Sequence, residues 1–134
     1  MRIEAYLRIG GDEMTILAIH EAVNIKEARV KAYPKLGEWG WATTPIRIDF
    51  YDPDSGLKAL LKTYEPIFLT IRRHRTPDTA VTLQVVTQYS PGEDPRGLHL
   101  SDETISLLCK LGGALDNDVG WILDECLPSR ESGD

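Results

Sequence analysis

Hydrophobic and polar positions alternate or recur along this chain with periods that predict its elements. In "IEAYLRI" (3–9) Ile3, Ala5, Leu7 and Ile9 fall on one side and Glu4, Tyr6 and Arg8 on the other, the period-two pattern of a half-buried strand. Gly10 and Gly11 end it, and Asp12 stands where a helix N-cap is expected. Met14, Leu17, Ala18 and Ala22 then share one face of a short helix over 13–22. "ARVKAYP" (28–34) reads as a short strand ended by Pro34, and "GEW" as a turn. "WATTPIRIDFY" (41–51) alternates again, with a break or a sheet edge expected at Pro45, which has no N–H. "DPDSG" (52–56) has turn composition.

The second half carries the strongest periodicities. Leu57, Leu60, Leu61, Tyr64, Phe68 and Ile71 recur at three and four through 57–75, which predicts one long helix kinked by Pro66. The run Arg72, Arg73, His74, Arg75 falls in its last turn, where cations suit the negative end of the helix dipole. "AVTLQVVTQY" (80–89) is a β-branched strand, "SPGEDPRG" (90–97) a polar loop, and "LHL" a candidate short strand. Ser101 caps a helix over "DETISLLCKL", Gly112 and Gly113 stop it, and "DVGWIL" (118–123) is the last strand. The expected fold is α+β: a two-layer sandwich, a ferredoxin-like, mainly antiparallel sheet with helices on one face. No linker or repeat divides the chain. A single domain is expected over 1–127, with a polar C-terminal tail at 128–134.

Composition narrows the function classes. The 134 residues carry 21 acidic against 15 basic groups, a net charge of −6. That argues against nucleic acid as partner, because such affinity comes largely from Lys and Arg on phosphates. It is compatible with a basic protein partner. The two cysteines, Cys109 and Cys126, in a chain long enough to build its own core fit a reducing compartment. No apolar run approaches the roughly 20 residues that span a bilayer. A cytoplasmic protein is the expectation, with no membrane partner.

Candidate chemistry is sparse. Asp116 and Asp118 flank Asn117 between a glycine helix stop and a strand. Hard cations need several converging oxygens, so turn residues are the expected reading and no metal ligand is assigned. His20, His74 and His99 show no ligand spacing, no Cys-x-x-Cys pair is present, and no nucleophile elbow, P-loop or dinucleotide fingerprint occurs. Cys109 shares a helical face with Ile105 and Leu108 and is expected in the core. No catalytic residue and no cofactor are assigned. Trp39 and Trp41 flank Gly40. On an extended chain they are read as pointing to opposite faces, so that one can be core and the other an exposed partner anchor; the reading that both close the edge of the core is the favoured one. The acid-rich loops at Asp52, Asp54, Glu93 and Asp94 complete the candidate partner surface.

"GGDEM" after the opening strand, "GEWGW", "YEP" within the long helix and the closing "GLHLSDETISLLCKLGGALDNDVGWIL" together resemble the bacterial domain of unknown function 4279. The resemblance covers nearly the whole chain and is weakest at 24–36. It implies Asp118 as a strand-start aspartate and brings no established activity. Small acidic bacterial proteins of this kind often accompany polymorphic toxins as immunity partners, which is an association the resemblance brings and not a reading of the residues. The resulting expectation is a non-catalytic cytoplasmic protein-binding domain of immunity type, with a basic toxin domain as partner. The alternative is a small enzyme or ligand-binding module with a pocket between the sheet and the long helix. A homodimer joined through an exposed strand is also compatible with the pattern.

Overall fold

The alternation at 3–9 gives the first strand one wholly apolar face, which it buries against the helices. The structure, a computed structural model, describes residues 1–122. Cys126 and the expected tail at 128–134 lie outside the described residues. Along the chain run β1 (Arg2–Gly11), α1 (Glu13–Val23), β2 (Arg29–Tyr33), β3 (Glu38–Ala42), β4 (Ile46–Ile48), α2 (Pro53–Tyr64), α3 (Phe68–His74), β5 (Ala80–Tyr89), α4 (Asp102–Leu111) and β6 (Ala114–Trp121). The fold is α+β, an open six-stranded sheet ordered β2-β3-β1-β5-β6, with β4 pairing β1 beyond the end of β3. All pairings are antiparallel except β5–β6, which is parallel across the α4 connection.

The proline break in the third strand is a change of register. β3 pairs Arg8 with Ala42 and β4 pairs Ala5 with Ile46. Three residues on one strand therefore face two on the other, the extra residue of a β-bulge. Thr43 repairs the ladder there. Its backbone N–H donates to the Leu7 carbonyl at 3.0 Å, and its Oγ1 accepts from the Leu7 N–H at 3.0 Å. The turn before β3 is at 34–37, not at "GEW": a 3₁₀ turn at Pro34–Leu36 runs into Gly37 at φ 63°, a left-handed conformation that glycine adopts without strain.

Caps explain the helix ends. Asp12 accepts from Thr15 N–H at 2.8 Å and Ser101 from Thr104 N–H at 3.3 Å. α2 starts at Pro53 rather than Leu57, since Asp52 is its N-cap and Pro53 its first residue. Asp followed by Pro starts a helix as readily as it makes a turn. At Pro66 the chain stays helical through one 3₁₀ turn, Glu65–Ile67, which divides the expected long helix into α2 and α3. α2 packs on α4, and α3 packs on α1 and α4.

Ile3, Ala5, Leu7 and Ile9 of β1 and Val81, Leu83 and Val85 of β5 form one buried cluster with side chains from all four helices. Two helical faces differ from expectation. On α1 the buried residues are Thr15, Ile16 and Ile19, while Met14 is 83% exposed. On α4 they are Thr104, Leu107 and Leu111, while Ile105 and Cys109 are exposed. In each helix two apolar sets share the same three-four spacing, and spacing alone does not say which one meets the sheet. "LHL" forms no strand; Leu98 and Leu100 pack half-buried against the core from a loop. Among the described residues no helix is long and apolar enough to cross a membrane.

Candidate functional site

The helices pack against one face of the sheet, and the other face is where charged side chains converge. β2 alternates Arg29, Lys31 and Tyr33 away from the core, with Val30 and Ala32 toward it. Across β3 these three face Ala42, Gly40 and Glu38, and across β1 the rows continue to Arg8 and Gly10. Ala80 of β5 closes the row through Gly10. Small residues at Ala42, Gly40, Gly10 and Ala80 leave a groove of about 510 Å³, within the ~300–1,000 Å³ range of small-ligand sites.

The register sets the geometry of the rim. Arg29 and Arg8 stand at the two ends of the row through Ala42, about 10 Å apart at two strand spacings. The Tyr33 ring lies over Gly40, its Cε2 only 3.0 Å from where a Cβ would sit. Gly40 is therefore the residue that leaves room for the ring edge above the sheet. The Glu38 carboxylate reaches over Gly10, 3.7 Å from the corresponding point. Lys31 Nζ is 5.4 Å from the Tyr33 ring centre, a cation–π distance. Among the described residues, Arg8, Arg29 and Lys31 make no ion pair or side-chain hydrogen bond. Farther along the same face β6 presents Asp116 and Asp118, both exposed, while Arg2, Glu4 and Arg47 stand on it toward the start of β1.

The six residues expected to meet a partner do not form one surface. Trp39 and Trp41 lie on the same side of β3, because residues two apart on a strand share a face; the opposite-face expectation fails on that period. Trp41 is fully buried and Trp39 is half-buried against the core. The acids are at the other end of β1. Glu93 pairs with the Met1 amino group at 3.0 Å, whereas Trp39 pairs with Gly11, about 30 Å away along an extended strand.

Three of the four acids are hydrogen-bonded within the fold. Asp52 caps α2, accepting from Ser55 N–H at 3.3 Å and Ser55 Oγ–H at 2.7 Å. Asp54 accepts from Ser101 N–H at 2.9 Å and ties the start of α2 to that of α4; this bond holds its carboxyl below the usual range. Glu93 accepts from Ser90 N–H, and that bond, with the Met1 amino group next, lowers its pKa likewise. Asp94 is exposed. The 90–101 loop is fastened further by Tyr89, whose hydroxyl accepts from Arg96 N–H at 2.8 Å and donates to Arg96 O at 2.9 Å. Arg96 in turn stacks on Phe50 at 5.0 Å.

Asp116 and Asp118 lie inside β6, which starts four residues earlier than expected, rather than in a turn. Among the described residues no group of three or more His, Cys, Asp or Glu side chains could hold a metal ion. His20 and Glu21 line a second hollow of about 370 Å³ beyond the end of α1. As neighbours on a helix they point about 100° apart and make no acid–base pair. The charged groove was missed in the sequence because its signal is split: Arg8 sits on the polar side of one strand pattern and Arg29, Lys31 and Tyr33 on that of another. Only the pairing through β3 brings them together. Comparison of the chain with protein-family models, curated proteins and solved structures found no match.

Proposed function

We propose that this chain is a non-catalytic binding domain whose binding surface is the open face of the sheet. The observation that carries this reading is the convergence of Arg8, Arg29 and Lys31, without carboxylate partners among the described residues, on a groove floored by small residues. Charged edge residues can serve only to keep sheet edges from pairing. That account covers Arg29 and Lys31 on the edge strand β2 but not Arg8, which is on the central strand. Like charges held near one another without partners oppose folding, so their retention in a chain of net charge −6 supports a role in binding.

The immunity-type role implied by the resemblance to domain of unknown function 4279 belongs to this reading. A cytoplasmic protein partner would meet the same face, with Asp116 and Asp118 set toward its basic groups and the groove's cations toward its acidic ones. The acid-rich loops support that role less, since three of their four carboxylates are already hydrogen-bonded. We read the architecture as a two-layer sandwich, ferredoxin-like in its layering although the central pair β1–β5 is antiparallel. The test needs no ligand. Arg8→Gln, Arg29→Gln and Lys31→Gln should each leave thermal stability unchanged or raise it. A loss above about 1 kcal/mol in any of them, beyond the usual ±0.5 kcal/mol for surface changes, would show a structural cation and remove that residue from the reading.

A further inference from the structure

The groups around the groove are not interchangeable, and together they select a ligand class. Two arginines whose backbone positions are about 10 Å apart, with Lys31 in the adjacent row, suit a ligand bearing more than one negative oxygen; Arg in particular matches phosphate with a bidentate fork. Tyr33 turns a ring edge toward Gly40 and is 41% exposed, so its ring can stack a flat group, with Tyr6 beside Arg8 on the same face of β1. Glu38, placed over Gly10, has no ion-pair partner among the described residues and can only accept hydrogen bonds when ionised. It therefore asks for a hydroxyl or amino donor between the anionic and the flat parts of the ligand.

Resting on the open-face reading, we propose that the groove binds a free nucleotide. Its phosphates would lie on Arg8, Arg29 and Lys31, its base on Tyr33, and its sugar hydroxyls or base amino group on Glu38. A nucleic-acid strand also carries phosphates and stacking bases, but it would have to extend past the groove. The same face carries exposed Asp116 and Asp118 on β6, and a polyanion running that way meets like charge. Along β1 the carboxylate of Glu4 separates the groove's cations from Arg2 and Arg47.

Calorimetric titration of the intact protein tests this with four probes: ADP, pyrophosphate, adenosine and a single-stranded oligoribonucleotide. ADP should bind at least tenfold more tightly than pyrophosphate or adenosine, and the oligoribonucleotide no more tightly than ADP. Arg8→Gln combined with Arg29→Gln should weaken ADP at least tenfold, with the melting temperature held. Tyr33→Leu should weaken ADP and leave pyrophosphate unchanged. Pyrophosphate as tight as ADP, and lost in the same double variant, would overturn the nucleotide class while leaving the open-face reading intact. Tighter oligoribonucleotide binding would overturn it in favour of a strand. No binding of any probe at millimolar concentration would overturn the nucleotide proposal. ADP binding indifferent to the double variant would overturn both, since the site would then lie elsewhere.

Discussion

Replacing Thr43 by valine removes one hydroxyl and keeps the side-chain shape. In the structure that hydroxyl is the acceptor for the Leu7 N–H at 3.0 Å, at the point where the bulge and Pro45 take the third strand out of register. Leu7 is 1% exposed and Thr43 2%, so water cannot take the place of the lost acceptor without the strand opening. A buried donor left without a partner costs about 1–3 kcal/mol. For a chain of this length that lowers the melting temperature by about 3–5 °C per kcal/mol. Thr43→Ser keeps the hydroxyl and loses one methyl, about 0.8 kcal/mol by transfer, so it should fall between wild type and valine. Urea denaturation followed by tryptophan emission is the assay, with Trp41 in the core as reporter. With a slope of about 2 kcal/mol per molar, the valine midpoint should drop by about 0.5–1.5 M. A valine variant as stable as wild type, or more stable than serine, would refute the bulge-repair role of Thr43.

Gly56→Ala should destabilise despite the better helix propensity of alanine. The new Cβ would sit 2.8 Å from Ile48 Cγ2, and overpacking of about 1–3 kcal/mol exceeds the ~1 kcal/mol gained; a rise in melting temperature would contradict that contact. Reversing Asp52, Asp54 and Glu93 to lysine should each destabilise the protein, by about 0.5–2 kcal/mol for the cap at Asp52, whereas Asp94→Lys should stay within about 0.5 kcal/mol of wild type; equal effects in thermal melts would refute the division. Asp54 and Glu93 have pKa values lowered in the fold, so the stability they provide is present above their unfolded values near 4 and is lost as pH falls through the folded ones. Melts between pH 7 and 3 should therefore show a shallower acid loss in Asp54→Asn than in wild type, and an unchanged slope would contradict the Asp54–Ser101 link.

Strand alternation was the most legible part of this sequence. β1 pairs a wholly apolar face with a polar one, and β5 does nearly the same with Thr87 as the one polar residue on its core side; only one register buries the apolar face. Helix existence was legible from caps at Asp12 and Ser101 and the glycine stop at Gly112. The buried faces of α1 and α4 were not, because Met14 and Leu17 compete with Ile16 and Ile19 at the same spacing, and only contact with the sheet decides between them. For the two tryptophans the reading in which both close the edge of the core agrees with their packing, whereas the opposite-face reading fails because residues two apart on a strand share a face. The groove was illegible for a different reason. Arg8 and Arg29 are 21 positions apart and become neighbours only because β3 threads between their strands with Ala42 and Gly40 at the crossing points. A sequence shows small residues and cations separately; strand order makes them a site.

The open face as binding surface is tested most directly by mapping amide chemical shifts of the ¹⁵N-labelled protein during titration with ADP. The account predicts that shifts concentrate at 8–10, 29–33 and 38–42, the residues that line the groove. Shifts confined to the loops at 49–54 and 90–101, or to the hollow beyond α1, would contradict it.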